Sequence, residues 1–188
     1  QARQTFISNN QYLATSNPEE YTKKLIEFEN AVTGYNNHKS NMVELAKFKA
    51  KAQQITEAIS LMEKARTIDP NNKWYQQSLA VLYETHQQYE LGADVYEELI
   101  KQQPKELVYY ETLANMYLYQ NDLKGALKIY YRSEAEFGVM EFSSTQKQKI
   151  YVKQKKMDKA INEAKNLIKQ FPSTARFYAT LAKLYTQN

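Results

Sequence analysis

Apolar and polar positions alternate along this chain with the period of a helix. One stretch reads Tyr89, Gly92, Ala93, Tyr96, Leu99, Ile100, and a later one Met157, Ala160, Ile161, Ala164, Leu167, Ile168. Spacings of three and four residues place these side chains on one stripe of an α-helix, with charged and amide residues on the opposite face. The stripes recur. Pro70 and Pro104 stand 34 residues apart, Gly138 falls at the next step, and Pro172 at the one after. Tyr83, Tyr117, Tyr151 and Tyr185 keep the same interval, as do Ala58, Gly92, Ala126 and Ala160, and as do Ala46, Ala80, Ala114 and Ala182. Independent ladders with a common period mark an internal repeat.

Each ladder has a physical reason. A unit of 34 residues accommodates two helices and their turns, and small residues mark where the two backbones approach most closely. Ala80 and Gly92 do so in one repeat, and the tyrosine about one turn after each first-helix alanine fills the space beside it. Proline ends each second helix, since it lacks an N–H and collides with the preceding turn. Asp122, following Asn121, is placed to cap a helix over 123–136. The four-tyrosine ladder shares its side with the alanines, so it reads as core rather than as a stacking platform for single-stranded nucleic acid. Tyr96 and Tyr130 read as core too.

The strings SLAVLYETHQQYELGADVYEELIKQQP and TLANMYLYQNDLKGALKIYYRSEAEFG carry a Leu-Ala…Tyr first helix, a small residue and an aromatic in the second, and a terminal proline or glycine. This pattern resembles the tetratricopeptide repeat. The resemblance implies an all-α fold, a right-handed α-α superhelix of antiparallel helix pairs, and a role in binding other proteins. Repeats are expected at 39–72, 73–106, 107–140 and 141–174, with the first helix of a further, truncated repeat at 175–188.

Residues 1–38 are expected to form a degenerate first repeat or capping helices. Within them a helix from Asn17 to Gly34 has Asn17 as cap, Pro18 at its first position and Glu20 nearby. Its packed side would be Tyr21, Leu25, Ile26, Phe28 and Ala31. In the repeat at 141–174 Lys147-Gln148 replaces the Leu-Ala pair, so looser packing is expected there. Leu181 and Leu184 lack a following helix, and solenoids need a polar end cap. The parent protein is therefore expected to continue past Asn188, and the uncapped end offers a route to self-association.

Composition then narrows the function. With 43% hydrophobic and 24% charged residues among 188, the chain has the balance of a folded protein. Only four glycines and four prolines are present, too few for the turns of an all-β fold. The net charge of +4 comes without any run of five basic residues, and the densest stretch, Lys153-Gln154-Lys155-Lys156, reads as a solvated helix end. Nucleic-acid binding is thus the weaker alternative. The absence of cysteine excludes disulfides and thiolate chemistry. No apolar run reaches the ~18 residues of a membrane span. The start at Gln1 implies trimming, by a signal peptidase or by a cloning decision.

No catalytic constellation emerges. The only histidines, His38 and His86, fall in expected turns without carboxylates at ligand spacing. Phosphate-loop, nucleophile-elbow and zinc-helix motifs are absent. The pairs Glu19-Glu20 and Glu97-Glu98 read as solvated. The expectation is a non-enzyme without metal or cofactor.

The resemblance also implies where a ligand would lie. First helices line the concave side of such a superhelix, with contacts at recurring slots of each repeat. Carried onto this sequence, the groove takes Val43, Lys47 and Lys51, then Trp74, Gln77, Val81 and Glu84. It continues with Glu111, Asn115, Leu118 and Tyr119, and with Phe142, Thr145, Lys149 and Lys153, and Arg176 and Lys183 extend it. Aromatic anchors mixed with amide and lysine donors suit an extended or helical peptide. The clamp by which some members hold a terminal carboxylate is not met, because Val43, Lys47 and Ser78 occupy its slots. A spacer role without a peptide ligand is the alternative. The strings IDPNNKWYQQSLAVLYE and EFGVMEFSSTQKQKIYVK are similar to long exported repeat proteins of Gram-negative envelopes, which implies a periplasmic setting and a part in envelope assembly, with a cytoplasmic one as the alternative.

Overall fold

The structure, a computed structural model, describes residues 39–187 and, before them, 16–17, 19–21, 23–24 and 27. Residues 19–21, 23–24 and 27 are helical, and nine helices follow from Lys39 onward. They are α1 (Lys39–Lys51), α2 (Ile55–Ile68), α3 (Lys73–Thr85), α4 (Tyr89–Gln102), α5 (Leu107–Tyr119), α6 (Leu123–Phe137), α7 (Glu141–Lys153), α8 (Met157–Gln170) and α9 (Ala175–Thr186). No strand occurs among these residues. The chain divides into two compact units, 1–95 and 96–188, the boundary falling within α4.

In the first unit α1 packs on α2, and α2 on α3. Val43, Ala46, Phe48, Ala58, Met62, Ala65, Leu79, Ala80 and Tyr83 form its interior. Tyr83 is held at its tip, where its hydroxyl donates to Glu63 Oε1 at 2.6 Å. Tyr21 adds its ring to that of Phe48, with centroids 6.0 Å apart, and donates its hydroxyl to the Phe48 carbonyl at 3.2 Å. The expected cap at Asn17 is present, with the Glu20 N–H donating to Asn17 Oδ1 at 3.2 Å. The rest of the expected helix to Gly34, with Pro18, Leu25, Ile26, Phe28 and Ala31, lies outside the described residues, as does His38.

In the second unit α5 packs on α6, α6 on α7, α7 on α8 and α8 on α9. Leu113, Ala114, Met116, Ala126, Ile129, Tyr130, Ala160, Ile161, Ala164 and Leu167 are buried in it. Asp122 caps α6 as expected, accepting from the N–H groups of Lys124 and Gly125. Gly125 is required by close approach. A Cβ there would stand 2.6 Å from Tyr117 Cδ1 and 2.5 Å from Asp122 Oδ2.

Two further ladders appear that residue types did not announce. Gln53, Gln87, Asn121 and Lys155, again 34 residues apart, all have positive φ, between 56° and 63°. Each follows a first helix and closes it with paired bonds. For example, the Gln88 N–H reaches back to Tyr83 O at 2.8 Å and the Gln87 N–H to Glu84 O at 2.9 Å. This is the Schellman arrangement, which satisfies the last helical carbonyls through a left-handed residue. The second ladder sits where proline ends a second helix. Gln76 Nε2 donates to Pro70 O at 2.7 Å, Tyr110 Oη to Pro104 O at 3.1 Å, and Tyr178 Oη to Pro172 O at 2.9 Å. Gly138 breaks that series with φ 81°, a value proline's ring cannot adopt.

Several expectations change. Leu184 is not left uncovered but is buried against Tyr151, Ala160, Ile161 and Ala164, with Leu181 packed beside it. Tyr83 and Tyr151 are buried and Tyr117 half-buried, whereas Tyr185 is 52% exposed. Ala182 is exposed as well. Around Lys147 the packing is closed rather than loose. Its side chain is 2% exposed, and Nζ lies 2.5 Å from Glu134 Oε2 and 2.6 Å from Glu163 Oε2. A buried ion cluster fills the space that Leu and Ala fill in α3 and α5.

Candidate functional site

The helical period carries the sequence-predicted contacts of the first unit onto one face of α1 and α3. There Lys47, Trp74, Gln77 and Val81 surround an open pocket of about 430 Å³. Val43, itself 2% exposed, and Met62 of α2 form part of its floor. Ala46 and Ala50 leave the space that larger side chains would occupy. Trp74, in the first turn of α3, is 41% exposed. Its ring leans edge-on against Tyr75, centroids 5.5 Å apart at 68°, and Lys47 Nζ stands 4.7 Å from the indole centroid. That is cation–π range. Lys47 also reaches Glu44 Oε1 at 3.1 Å.

In the second unit the predicted residues lie on α5 and α7. Tyr119 is 57% exposed and Phe142 37%. Lys149 and Lys153 are exposed, while Glu111, Asn115 and Thr145 are half-buried. Phe142 is steadied by the buried Tyr130 of α6, ring centroids 6.1 Å apart at 72°. Burial, and secondarily the Glu111 carboxylate, push the Tyr130 phenol up to about 12. Lys153 Nζ donates to Asn121 Oδ1 at 3.0 Å, tying the end of α7 to the turn after α5. Thr145 lines a smaller cavity of about 160 Å³ with Gln148, Phe177 and Arg176. Arg176 is ion-paired with Glu141, and Lys183 is exposed. Each unit thus keeps its predicted contacts at the surface, Val43 excepted, and the first unit gathers six of them, Val43 and Lys51 included, around one cavity.

Residue-level reasoning missed the cluster centred on Lys147. Besides the two carboxylates, Ser143 Oγ donates to Glu134 Oε1 at 2.9 Å. Tyr131 Oη donates to Glu163 Oε1 at 3.0 Å and lies 2.7 Å from Tyr151 Oη. Because Tyr131 spends its proton on Glu163, Tyr151 is the donor of that pair. Lys147 Nζ is also 4.3 Å from the Tyr131 ring centroid. Burial, then the bonds to Tyr151 and Glu163, push the Tyr131 phenol far above its usual range. The signal available in the sequence was spacing alone. Glu163 stands inside the apolar stripe of α8, where a carboxylate needs a cation. Glu97, expected to be solvated, instead pairs with Arg132 at 2.6 Å.

His86 is exposed at the end of α3. Among the described residues no three His, Asp or Glu side chains converge as a metal site. No helix among them is long and apolar enough to cross a membrane.

No family model matches the chain, and no curated protein matches it. Solved structures do. A tetratricopeptide repeat protein from Parabacteroides merdae aligns over 97% of this chain and 72% of its own, at 13% identity and a TM-score of 0.61. MamA from residue 41 to its end, from Desulfovibrio magneticus RS-1, aligns over 98% and 96%, at 13% identity and a TM-score of 0.60. MamA of AMB-1 aligns over 90% and 91%, at 12% identity and a TM-score of 0.62. At such identities the likeness establishes the fold, an all-α solenoid of the tetratricopeptide-repeat type.

Proposed function

We propose that this chain is a protein-interaction module, an adaptor or scaffold that captures a segment of a partner protein on the face of its first helices. The observation that carries this reading is the pocket on α1 and α3, where residues chosen from repeat slots alone, Lys47, Trp74, Gln77 and Val81, converge on one open apolar cavity. Its frame is a set of repeats at 39–72, 73–106, 107–140 and 141–174, with a further first helix at 175–188. Glu111, Asn115, Tyr119, Phe142, Thr145, Lys149 and Lys153 are the contacts of the second unit under this reading. Nothing in it calls for catalysis or a cofactor. Envelope assembly is the cellular setting we favour, on the resemblance of the sequence to exported repeat proteins.

An affinity pull-down from envelope and cytosolic extracts tests it, comparing wild type with Trp74→Ala/Tyr119→Ala/Lys149→Glu. Capture by wild type, lost in a variant that still melts cooperatively, supports the reading and identifies the compartment. Equal retention turns attention to a spacer or self-associating role. One observation favours that second reading. Tyr178 and Tyr185, seven residues apart on α9, are 48% and 52% exposed. Sedimentation of Tyr178→Glu/Tyr185→Glu against wild type decides whether that face holds copies together. Binding to RNA would show instead as steep loss with added salt.

A further inference from the structure

We propose that the pocket on α1 and α3 is a socket for one bulky apolar side chain of a partner segment that carries carboxylates beside it. The inference rests on the interaction-module reading and adds to it the chemistry of what is captured.

The cavity comes first. About 430 Å³ falls within the range of ligand pockets, and its walls are mostly apolar, with Ala46, Ala50, Met62, Val81 and Leu82 among them. Val81 is 52% exposed although it faces this apolar space. A side chain of aromatic or leucine size would remove such surface from water at ~25 cal/mol per Å².

Charge at the rim comes second. Lys47 and Lys51 stand one turn apart on α1 at the edge of the cavity, and no Asp or Glu is among the residues lining it. Glu44, on the same helix, pairs with Lys47, yet the Lys47 side chain keeps 51% of its surface in water. Such an exposed pair holds its members only weakly. Covering two ammonium groups with a neutral or basic segment would strip their hydration without compensation, whereas carboxylates would pair with them. The rim therefore selects an acidic neighbour for the apolar side chain and rejects a basic one.

The mouth comes third. The Trp74 indole is part of the wall, with one face under the Lys47 ammonium. Aromatic side chains in this position are the usual anchors of binding energy, with ring area gained at little cost in side-chain freedom.

Trp74 is the only tryptophan of the chain, so its emission reports the pocket directly. The full chain would be titrated with short capped peptides in which a central Phe or Leu is flanked by Glu, by Gln or by Lys. A Glu-flanked, Ala-centred peptide serves as control. We expect a saturable blue shift with the Glu-flanked apolar peptides, binding roughly tenfold or more tighter than the Lys-flanked ones, and none with the control. Lys47→Glu/Lys51→Glu should reverse the ranking, and Ala50→Leu, which fills the cavity, should abolish the shift. Each variant is checked by far-ultraviolet circular dichroism and cooperative melting, and Ser78→Leu replaces Ala50→Leu if the latter fails to fold. No saturable shift up to millimolar peptide, or equal binding whatever the flank, overturns the proposal. A shift produced by concentrating the protein alone also overturns it, in favour of a second copy as occupant. If the peptides fail while the triple variant still loses a partner, the socket is removed and groove capture stands. If the triple variant keeps every partner, both fall.

Discussion

Gln87 shows how far a single position can depart from its own preference. It holds a left-handed backbone (φ 59°) because two bonds closing α3 require it. An L-residue in that region is strained by about 1–2 kcal/mol, which glycine avoids at some cost in chain entropy. Gln87→Gly is therefore expected to stabilise by about 0.5–1 kcal/mol, read as a raised urea midpoint with unchanged slope. Gly138→Ala should act in the opposite direction. Its Cβ would meet nothing within 4 Å, but the φ of 81° itself penalises a side chain, by about 1–3 kcal/mol. At this scale the sequence was half legible. Asp122 and the prolines announced themselves through residue type, and Gly138 through its place in the proline ladder. Gln53, Gln87 and Lys155 did not, since their conformation is imposed by neighbours' hydrogen bonds rather than by their own chemistry.

Helix α7 was the least legible element. Its inward positions, Ser143, Ser144, Lys147 and Gln148, are polar and buried, so an argument from hydrophobic pattern predicts a poorly seated helix. The seat is provided by Glu134 of α6 and Glu163 of α8, whose positions mean nothing until the helices are packed. Removing one partner of such a cluster leaves buried charge behind. Lys147→Ala is expected to cost about 3–5 kcal/mol in denaturant unfolding. Lys147→Leu restores the residue type of Leu113 and should still destabilise by over about 1 kcal/mol, since both carboxylates stay without their cation. Lys147→Leu/Glu134→Leu/Glu163→Leu should recover most of that loss, because a well-packed apolar replacement of a whole ion cluster is commonly neutral or stabilising. If Lys147→Leu alone proves as stable as wild type, the ion cluster adds no net stability over an apolar side chain at that position.

Across the molecule, the 34-residue period was legible from Ala46 to Tyr185, and with it the fold. The division into two compact units was not, because no change of composition marks it. Nor was the unevenness of the candidate site, with a large open cavity on α1 and α3 but only a smaller one beside Thr145 of α7. Repeat slots say which residues face outward but not how much volume Ala46 and Ala50 leave between them. Both units share one titration behaviour. Tyr83, Tyr110, Tyr130 and Tyr131 are all pushed above 10.0, burial being the largest cause for each. A phenol whose folded pKa is raised binds its proton more tightly in the native state. Its stabilising contribution is complete below pH 10 and is lost as pH rises towards the folded value. For Tyr130 that window runs from 10.0 to about 12. Alkaline titration should therefore show tyrosinate absorbance rising together with loss of circular dichroism, and Tyr131→Phe should make the transition of the second unit less steep. The cluster at Lys147 has one more implication, for how such an array can evolve. Repeats built on Leu and Ala are interchangeable parts, and a copy can be inserted or lost without offending its neighbours. Lys147 ends that freedom locally. A duplicate of α3 and α4 in the place of α5 and α6 would offer Ile100 where Glu134 now stands, and the ammonium would meet hydrocarbon. The order of helices from α6 to α8 is thus fixed in the chain, like a keyed joint in a row of otherwise identical links.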